Sequence, residues 1–280
     1  MYKYLIFNIM RYLYFLLLFV ILIILIFFKT INLSTNVLLN ILIGAYYIAF
    51  KASFYKDKSQ CIKDGLTPLL NSIKIKINKF GLLDNNLPTL YVVNHQSYLD
   101  SIILKLIKPD VFTITKSNVA DDFSIFKLLC KNVLDNWGVI LYKLGDKESG
   151  KIVRKLIKDN IKSGKSIVIF PEGTSHAYEG LKHFYKGSFE VAYENNLLIQ
   201  PITIKYLSDI TWGEKLSYSK DYNLDIFKNT KKCEENDINE VNVTFHPIIN
   251  TSKFDNAEHL MNYVKFIITD EFLNQHNYKI

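Results

Sequence analysis

The chain opens with two long apolar runs and then changes to short apolar stretches that alternate with helix-spaced ones. Tyr12 to Phe28, YLYFLLLFVILIILIFF, carries no charge and sits at the short end of what spans a hydrocarbon core. A signal peptide competes with this reading, because Lys3 and Arg11 precede the run. The run is long for such a signal, however, and KTINLST behind it has no small-x-small cleavage site. Val37 to Phe50, VLLNILIGAYYIAF, is shorter and holds Asn40 and Gly44, as a re-entrant or interfacial helix does. Lys3 and Arg11 flank the pair on one side, and Lys51, Lys56 and Lys58 on the other. The positive-inside rule then places both ends in the cytoplasm. The expected organisation is an N-terminal membrane anchor of two apolar helices over residues 1–64, followed by a domain over 65–280 at the cytoplasmic face of the inner membrane.

Past residue 65 the periodicity alternates. TLYVV reads as a buried strand and YLDSIILKLI as a helix; DVFTIT as a strand and SIFKLLCKNVL as a helix. WGVILY is the next strand, and KESGKIVRKLIKDNIKSG a basic amphipathic helix that ends at Gly164. SIVIF, GSFEVAYENN and LIQPITIKYL continue as strand, short helix and strand. Residues 208–240 are polar and loop-like, VNVTFHPI is a late strand, and 256–274 a closing helix. The expected fold is α/β, a mostly parallel sheet flanked by helices and preceded by an N-terminal membrane-associated helical hairpin.

Composition adds a bias of charge. The chain has 280 residues, is 49% hydrophobic and carries a formal charge of +7. A basic balance suits nucleic acid, anionic lipid or an acidic protein, and the apolar start makes membrane lipid the expected partner rather than nucleic acid. Cys61, Cys130 and Cys233 lie far apart, with no pair motif, so neither a disulfide framework nor a zinc site is implied.

In sheets of this kind ligands collect beyond the carboxyl ends of the strands, and two loops stand there. In NHQSYLD, Ser97 and Asp100 fit a capping box opening a helix. That leaves His95 unexplained, a titratable ring at the end of a buried strand. Asp100 in the first helical turn can fold back onto the ring, the arrangement of a base and its orienting carboxylate, and it can do so while also capping. There is no G-x-S-x-G nucleophile elbow, so such a base would act on a substrate hydroxyl. In FPEGT, Pro171 ends a strand and Gly173 leaves a place where backbone amides could approach an anion. A plain turn explains that loop equally well.

Together these stretches resemble the glycerolipid acyltransferase family, lysophosphatidic-acid acyltransferase type. The resemblance runs from about residue 85 to 205 and includes the N-terminal apolar pair. The N-H-x-x-x-x-D motif stands as Asn94, His95 and Asp100, and F-P-E-G-T is complete from Phe170 to Thr174. Phe184 to Ala192 is similar to the family's F-K-x-G segment, and Ile199 to Ile204 to the motif around its proline, Pro201. Two family arginines associated with the acceptor's phosphate are missing: Lys143 stands at one position and Ser175 at the other.

The resemblance implies transfer of a fatty acyl group from acyl-CoA or acyl-ACP to the free hydroxyl of a lysophospholipid, most simply 1-acyl-glycerol-3-phosphate. It implies His95 as base and Asp100 as its orienter, with no cofactor and no metal. Glu172, Gly173, Thr174 and Lys143 would position the acceptor's head group, and Asn94 would hold either the loop or the reacting carbonyl. A lysine grips phosphate as a point charge and not as a fork, so the same chemistry on a lyso-aminolipid such as lyso-ornithine lipid is a second expectation. A non-enzymatic basic lipid-binding membrane protein is the more distant one.

Overall fold

The computed structural model describes residues 40, 44, 47, 58–84, 86–116, 138–142, 147–175, 180–207 and 236–274. The run Tyr12–Phe28, nearly all of Val37–Phe50, the expected helix SIFKLLCKNVL and Lys143 lie outside the described residues. Among the described residues, no helix is long and apolar enough to cross a membrane.

The described elements are α1 (Lys58–Ser72), β1 (Ile75–Gly81), β2 (Leu90–Val93), α2 (Leu99–Ile107), β3 (Phe112–Lys116) and β4 (Val139–Tyr142). They continue as α3 (Lys147–Lys162), β5 (Ile167–Ile169), α4 (Gly187–Glu194), β6 (Leu198–Tyr206), β7 (Asn239–Phe245), β8 (Ile249–Asn250) and α5 (Ala257–Asn274). The strands form one sheet in the order β1-β7-β6-β2-β5-β3-β4, with β8 paired to β6. From β6 to β4 the neighbours are all parallel. β7 runs antiparallel to β6 and carries β1 parallel to itself, so this edge pair is reversed. The mostly parallel α/β sheet flanked by helices is therefore present. The sequence pattern did not predict α1, β1 or β8.

β2 lies inside the sheet, and its four residues alternate between two cores. Tyr91 and Val93 point toward α1 and α2, among Leu69, Ile103 and Leu104. Leu90 and Val92 face the side of α3, α4 and α5, among Ile157, Phe189 and Leu260. Burial on both faces is why LYVV is a continuous apolar run. Each such side chain contributes about 1.5–3 kcal/mol by leaving water. Just past α2, the carbonyls of Pro109 and Val111, in the turn that leads to β3, accept from the side-chain nitrogen of buried Lys105.

The connections leave β2 and β5 in opposite directions. From β2 the chain crosses by α2 to β3, on the far side of β5; from β5 it crosses by α4 to β6, on the far side of β2. The two helices cover opposite faces. Adjacent strands whose connections diverge in this way leave a crevice at their carboxyl ends, the usual ligand position in an open α/β sheet. NHQSYLD and FPEGT both open into that crevice.

The reversed edge also holds a buried base. His246, after β7, shares a 2.8 Å hydrogen bond with Thr203 on β6, and burial pushes its imidazole down to about 4 from an ordinary 6.5. The folded chain keeps the ring neutral while the unfolded chain protonates it. Stability tied to this residue is thus present above pH 6.5 and is lost as the pH falls toward 4. The expected loss between pH 7 and pH 5 is about 2 kcal/mol. Urea unfolding at the two pH values measures it, and His246→Gln should flatten the difference. An equal pH dependence in that variant would assign the effect to other groups.

Candidate active site

Asn94 is the first residue beyond β2, and it continues the strand's pairing with its side chain. Its amide nitrogen donates to the Ile204 carbonyl at 2.8 Å, and its amide oxygen accepts the Ile204 N–H at 2.7 Å. The side chain therefore stands in for a backbone peptide in the β2–β6 ladder, and at 1% exposure it presents little surface to a ligand. Of the two roles open from the sequence, this geometry fits the holding of the loop.

The chain then leaves the sheet and turns into α2. Asp100, fully buried, collects the donors of that turn. Its Oδ2 accepts the N–H of Gln96 at 2.8 Å and of Ser97 at 2.9 Å, and lies 2.9 Å from Nδ1 of His95. Its Oδ1 accepts the hydroxyl of Tyr206, at the end of β6, at 2.6 Å. Ser97 accepts the Leu99 N–H at 3.2 Å. The Asp100–Ser97 bond is the carboxylate half of a capping box, so one side chain both starts the helix and orients the histidine.

These contacts decide the tautomer. A carboxylate oxygen that already accepts two backbone N–H groups is an acceptor toward the ring as well. Nδ1 of His95 carries the proton, and Nε2 is left with its lone pair. Nε2 has no hydrogen-bond partner among the described residues. The ring stacks on Phe170, 4.1 Å between centroids, which leaves its side chain 14% exposed. A base held from behind, with one face covered and its free nitrogen at a strand-end crevice, is set to take a proton from a ligand hydroxyl.

Phe170 belongs to the loop after β5. Gly173 donates its N–H to the Phe170 carbonyl at 3.0 Å and holds φ at 70°. An L side chain is strained in that region, so glycine suits the position. The Gly173 amide itself is thus engaged within the turn. Glu172, 3% exposed, points inward. One carboxylate oxygen accepts the His95 N–H at 2.8 Å and the other the Lys182 N–H at 2.7 Å. Glu172 ties the His95 loop, the FPEGT turn and the segment before α4 into one wall. Thr174 is partly buried at the end of the turn, and Ser175 is buried with its hydroxyl unbonded among the described residues.

The structure thus brings Asn94, His95, Asp100, Glu172, Gly173 and Thr174 to one end of the sheet. Tyr206 and Phe170 join them although neither was predicted as a site residue. Phe170 could have been found as part of FPEGT. For Tyr206 the only available signal was an aromatic hydroxyl closing a strand.

Residues 74–205 match a family model described as acyltransferase. A chloroplastic 1-acyl-sn-glycerol-3-phosphate acyltransferase of Arabidopsis thaliana is 32% identical over 133 residues, 46% of this chain and 36% of that protein. A lyso-ornithine lipid O-acyltransferase of Pseudomonas aeruginosa is 27% identical over 122 residues, 44% of this chain and 45% of that protein. A 1-acyl-sn-glycerol-3-phosphate acyltransferase of Helicobacter pylori is 28% identical over 131 residues, 46% of this chain and 53% of that protein. The matched region thus spans between about a third and a half of the length of these relatives. Among solved structures, the crystal structure of the 1-acyl-sn-glycerophosphate acyltransferase PlsC from Thermotoga maritima has a similar fold. The TM-score is 0.57 at 15% identity, over 88% of this chain and 98% of that one.

Proposed function

We propose, because residues 74–205 match a family model described as acyltransferase, that the chain transfers a fatty acyl group from an acyl thioester to the free hydroxyl of a lysophospholipid. The observation that carries the reading is the pair of His95 and Asp100, 2.9 Å apart through Nδ1, with Nε2 unbonded among the described residues. Nε2 removes the hydroxyl proton as the oxygen attacks the thioester carbonyl. A C–O bond forms, the carbonyl passes through a tetrahedral oxyanion, and the C–S bond breaks. The imidazolium, stabilised by Asp100, returns its proton to the leaving thiolate of coenzyme A or acyl carrier protein. With 1-acyl-glycerol-3-phosphate as acceptor the product is phosphatidic acid.

The acceptor stays in the bilayer, so the site works at a membrane surface. The N-terminal apolar pair serves as its anchor, a helical hairpin in the inner membrane with the α/β domain on the cytoplasmic face. One contact supports the link between hairpin and domain. Gly44, within the second apolar run, is buried against Gly65 of α1, where an added Cβ would lie 2.8 Å from the Gly65 carbonyl oxygen. Basic α3, with Lys151, Lys155, Lys158 and Lys162, adds attraction to anionic lipid.

A second acceptor is favoured by one feature. Ser175 stands where the family carries an arginine, and it is buried, so one grip on a phosphate is absent. An amino-acid head group, as in lyso-ornithine lipid, needs no such grip. Lys143 is then the residue whose removal separates the two acceptors. Membranes containing the protein, supplied with labelled lysolipids and with acyl-CoA or acyl-ACP, should acylate 1-acyl-glycerol-3-phosphate. Lys143→Ala should raise the KM for that acceptor while leaving kcat near its original value, because a head-group contact is made in ground and transition states alike. Acylation of lyso-ornithine lipid alone would move the assignment to the aminolipid. No acylation of any lysolipid would sink the enzymatic reading and leave the lipid-binding one.

A further inference from the structure

We infer that Tyr206 is a positioning residue for the reaction: its hydroxyl fixes the Asp100 carboxylate so that Oδ2 faces His95 and the proton stays on the imidazole. This rests on the proposed acyl transfer and adds to it a third member of the His95–Asp100 pair.

Asp100 is fully buried and accepts four hydrogen bonds from the described residues, three on Oδ2 and one on Oδ1. The three Oδ2 donors come from His95, Gln96 and Ser97, all in the loop that Asp100 itself closes. Tyr206 alone among these donors comes from elsewhere, 106 residues along the chain, on β6. At 2.6 Å this is a short, charge-assisted bond. Without it Oδ1 would be an unbonded anionic oxygen in a buried place, a costly arrangement. The carboxylate could then rotate or draw the ring proton toward itself.

The placement of Tyr206 makes the restraint stiff. Asn94 bonds both backbone groups of Ile204, two residues earlier on β6, and Tyr206 pairs with Val241 of β7 on the other edge. Its ring packs in the core shared by α1 and α2. Lys205, between these two residues, turns its ammonium to the Phe272 ring of α5. Among the described residues, the titratable groups that bond or clasp the pair are Tyr206 from β6 and Glu172 from the loop after β5, the latter through the His95 N–H.

A donor on Oδ1 also draws negative charge away from Oδ2. Removing it concentrates charge beside the ring and favours the imidazolium. Tyr206→Phe keeps the ring and deletes only this donor. In that variant kcat should fall about tenfold with KM unchanged, and the acid limb of the kcat/KM profile should move to higher pH. A second measurement needs no turnover. The low-field proton resonance of the His95 Nδ1–H, assigned by its loss in His95→Gln, should move further downfield as the bond to Oδ2 strengthens. Thermal unfolding of the variant checks that the fold is kept.

A wild-type chain inactive on every lysolipid would end the acyl-transfer reading, while the resonance still tests the contact between Tyr206 and Asp100. A Tyr206→Phe protein that folds, with an unmoved resonance and an unchanged acid limb, would overturn the role given to Tyr206.

Discussion

Replacing His95 with alanine lowers acyl transfer by about 10²–10⁴-fold, the usual contribution of a general base, and leaves the protein folded. The second half of this expectation comes from the geometry. Asp100 loses one of four donors but keeps the N–H groups of Gln96 and Ser97 and the Tyr206 hydroxyl. The His95 N–H still reaches Glu172, because that bond is made by the backbone. The cost is therefore confined to the ring, its stack on Phe170 and its bond to Asp100. KM for the lysolipid should change little, since the imidazole acts on the proton and not on the head group. Steady-state rates with the two proteins, matched by circular dichroism, make the measurement. Transfer within a few-fold of wild type would show that another group carries the proton.

Asp100→Asn gives the second large effect and separates two jobs that share one side chain. The two backbone N–H groups at Oδ2 require an oxygen there, so the new amide should place its oxygen toward the loop and its nitrogen toward Tyr206. The Tyr206 hydroxyl can accept that bond. The turn and the helix start survive, and so does the ring tautomer. What disappears is the negative charge that stabilises the imidazolium in a buried site. Activity should drop by about 10²-fold or more, while the unfolding midpoint stays close to wild type. If Asp100 only capped α2, the asparagine would serve nearly as well and transfer would persist.

The parallel core strands were legible because burial on both faces turns them into unbroken apolar runs, as in LYVV and IVI. β1 was not. IKINKFG is an edge strand with no fully buried residue and with Lys76 and Lys79 exposed, so its lysines and asparagine mimic a basic loop. α1 is weakly amphipathic and has Pro68 inside it, which blurs both its period and its end. It also runs across residues 64 and 65, where the composition changes. Nothing in a local pattern tells that β7 and β1 run against the other strands, since direction is set by pairing across the sheet.

The site was readable where its chemistry is local. His95, Ser97 and Asp100 lie within one turn, so their spacing states their contacts. The rest depends on long-range pairing. Glu172 was expected at the acceptor's head group, and its carboxylate holds two backbone N–H groups from separate segments. Asn94 finds Ile204 110 residues away. Tyr206 becomes visible only once β6 is placed beside β2.

The position of β6 has a consequence for synthesis on the ribosome. β1 to β5 emerge before β6, and β2, β3, β4 and β5 can pair among themselves, but the outer edge of β2 then lies bare until β6 arrives. A bare edge of apolar residues readily recruits foreign strands. Insertion of β6 closes that edge, and in the same step supplies the Ile204 backbone to Asn94 and the Tyr206 hydroxyl to Asp100. A nascent chain halted before residue 198 therefore carries His95 and Asp100 without the strand that steadies them. The hydrogen bonds of its His95–Asp100 loop are complete only when the sheet is sealed.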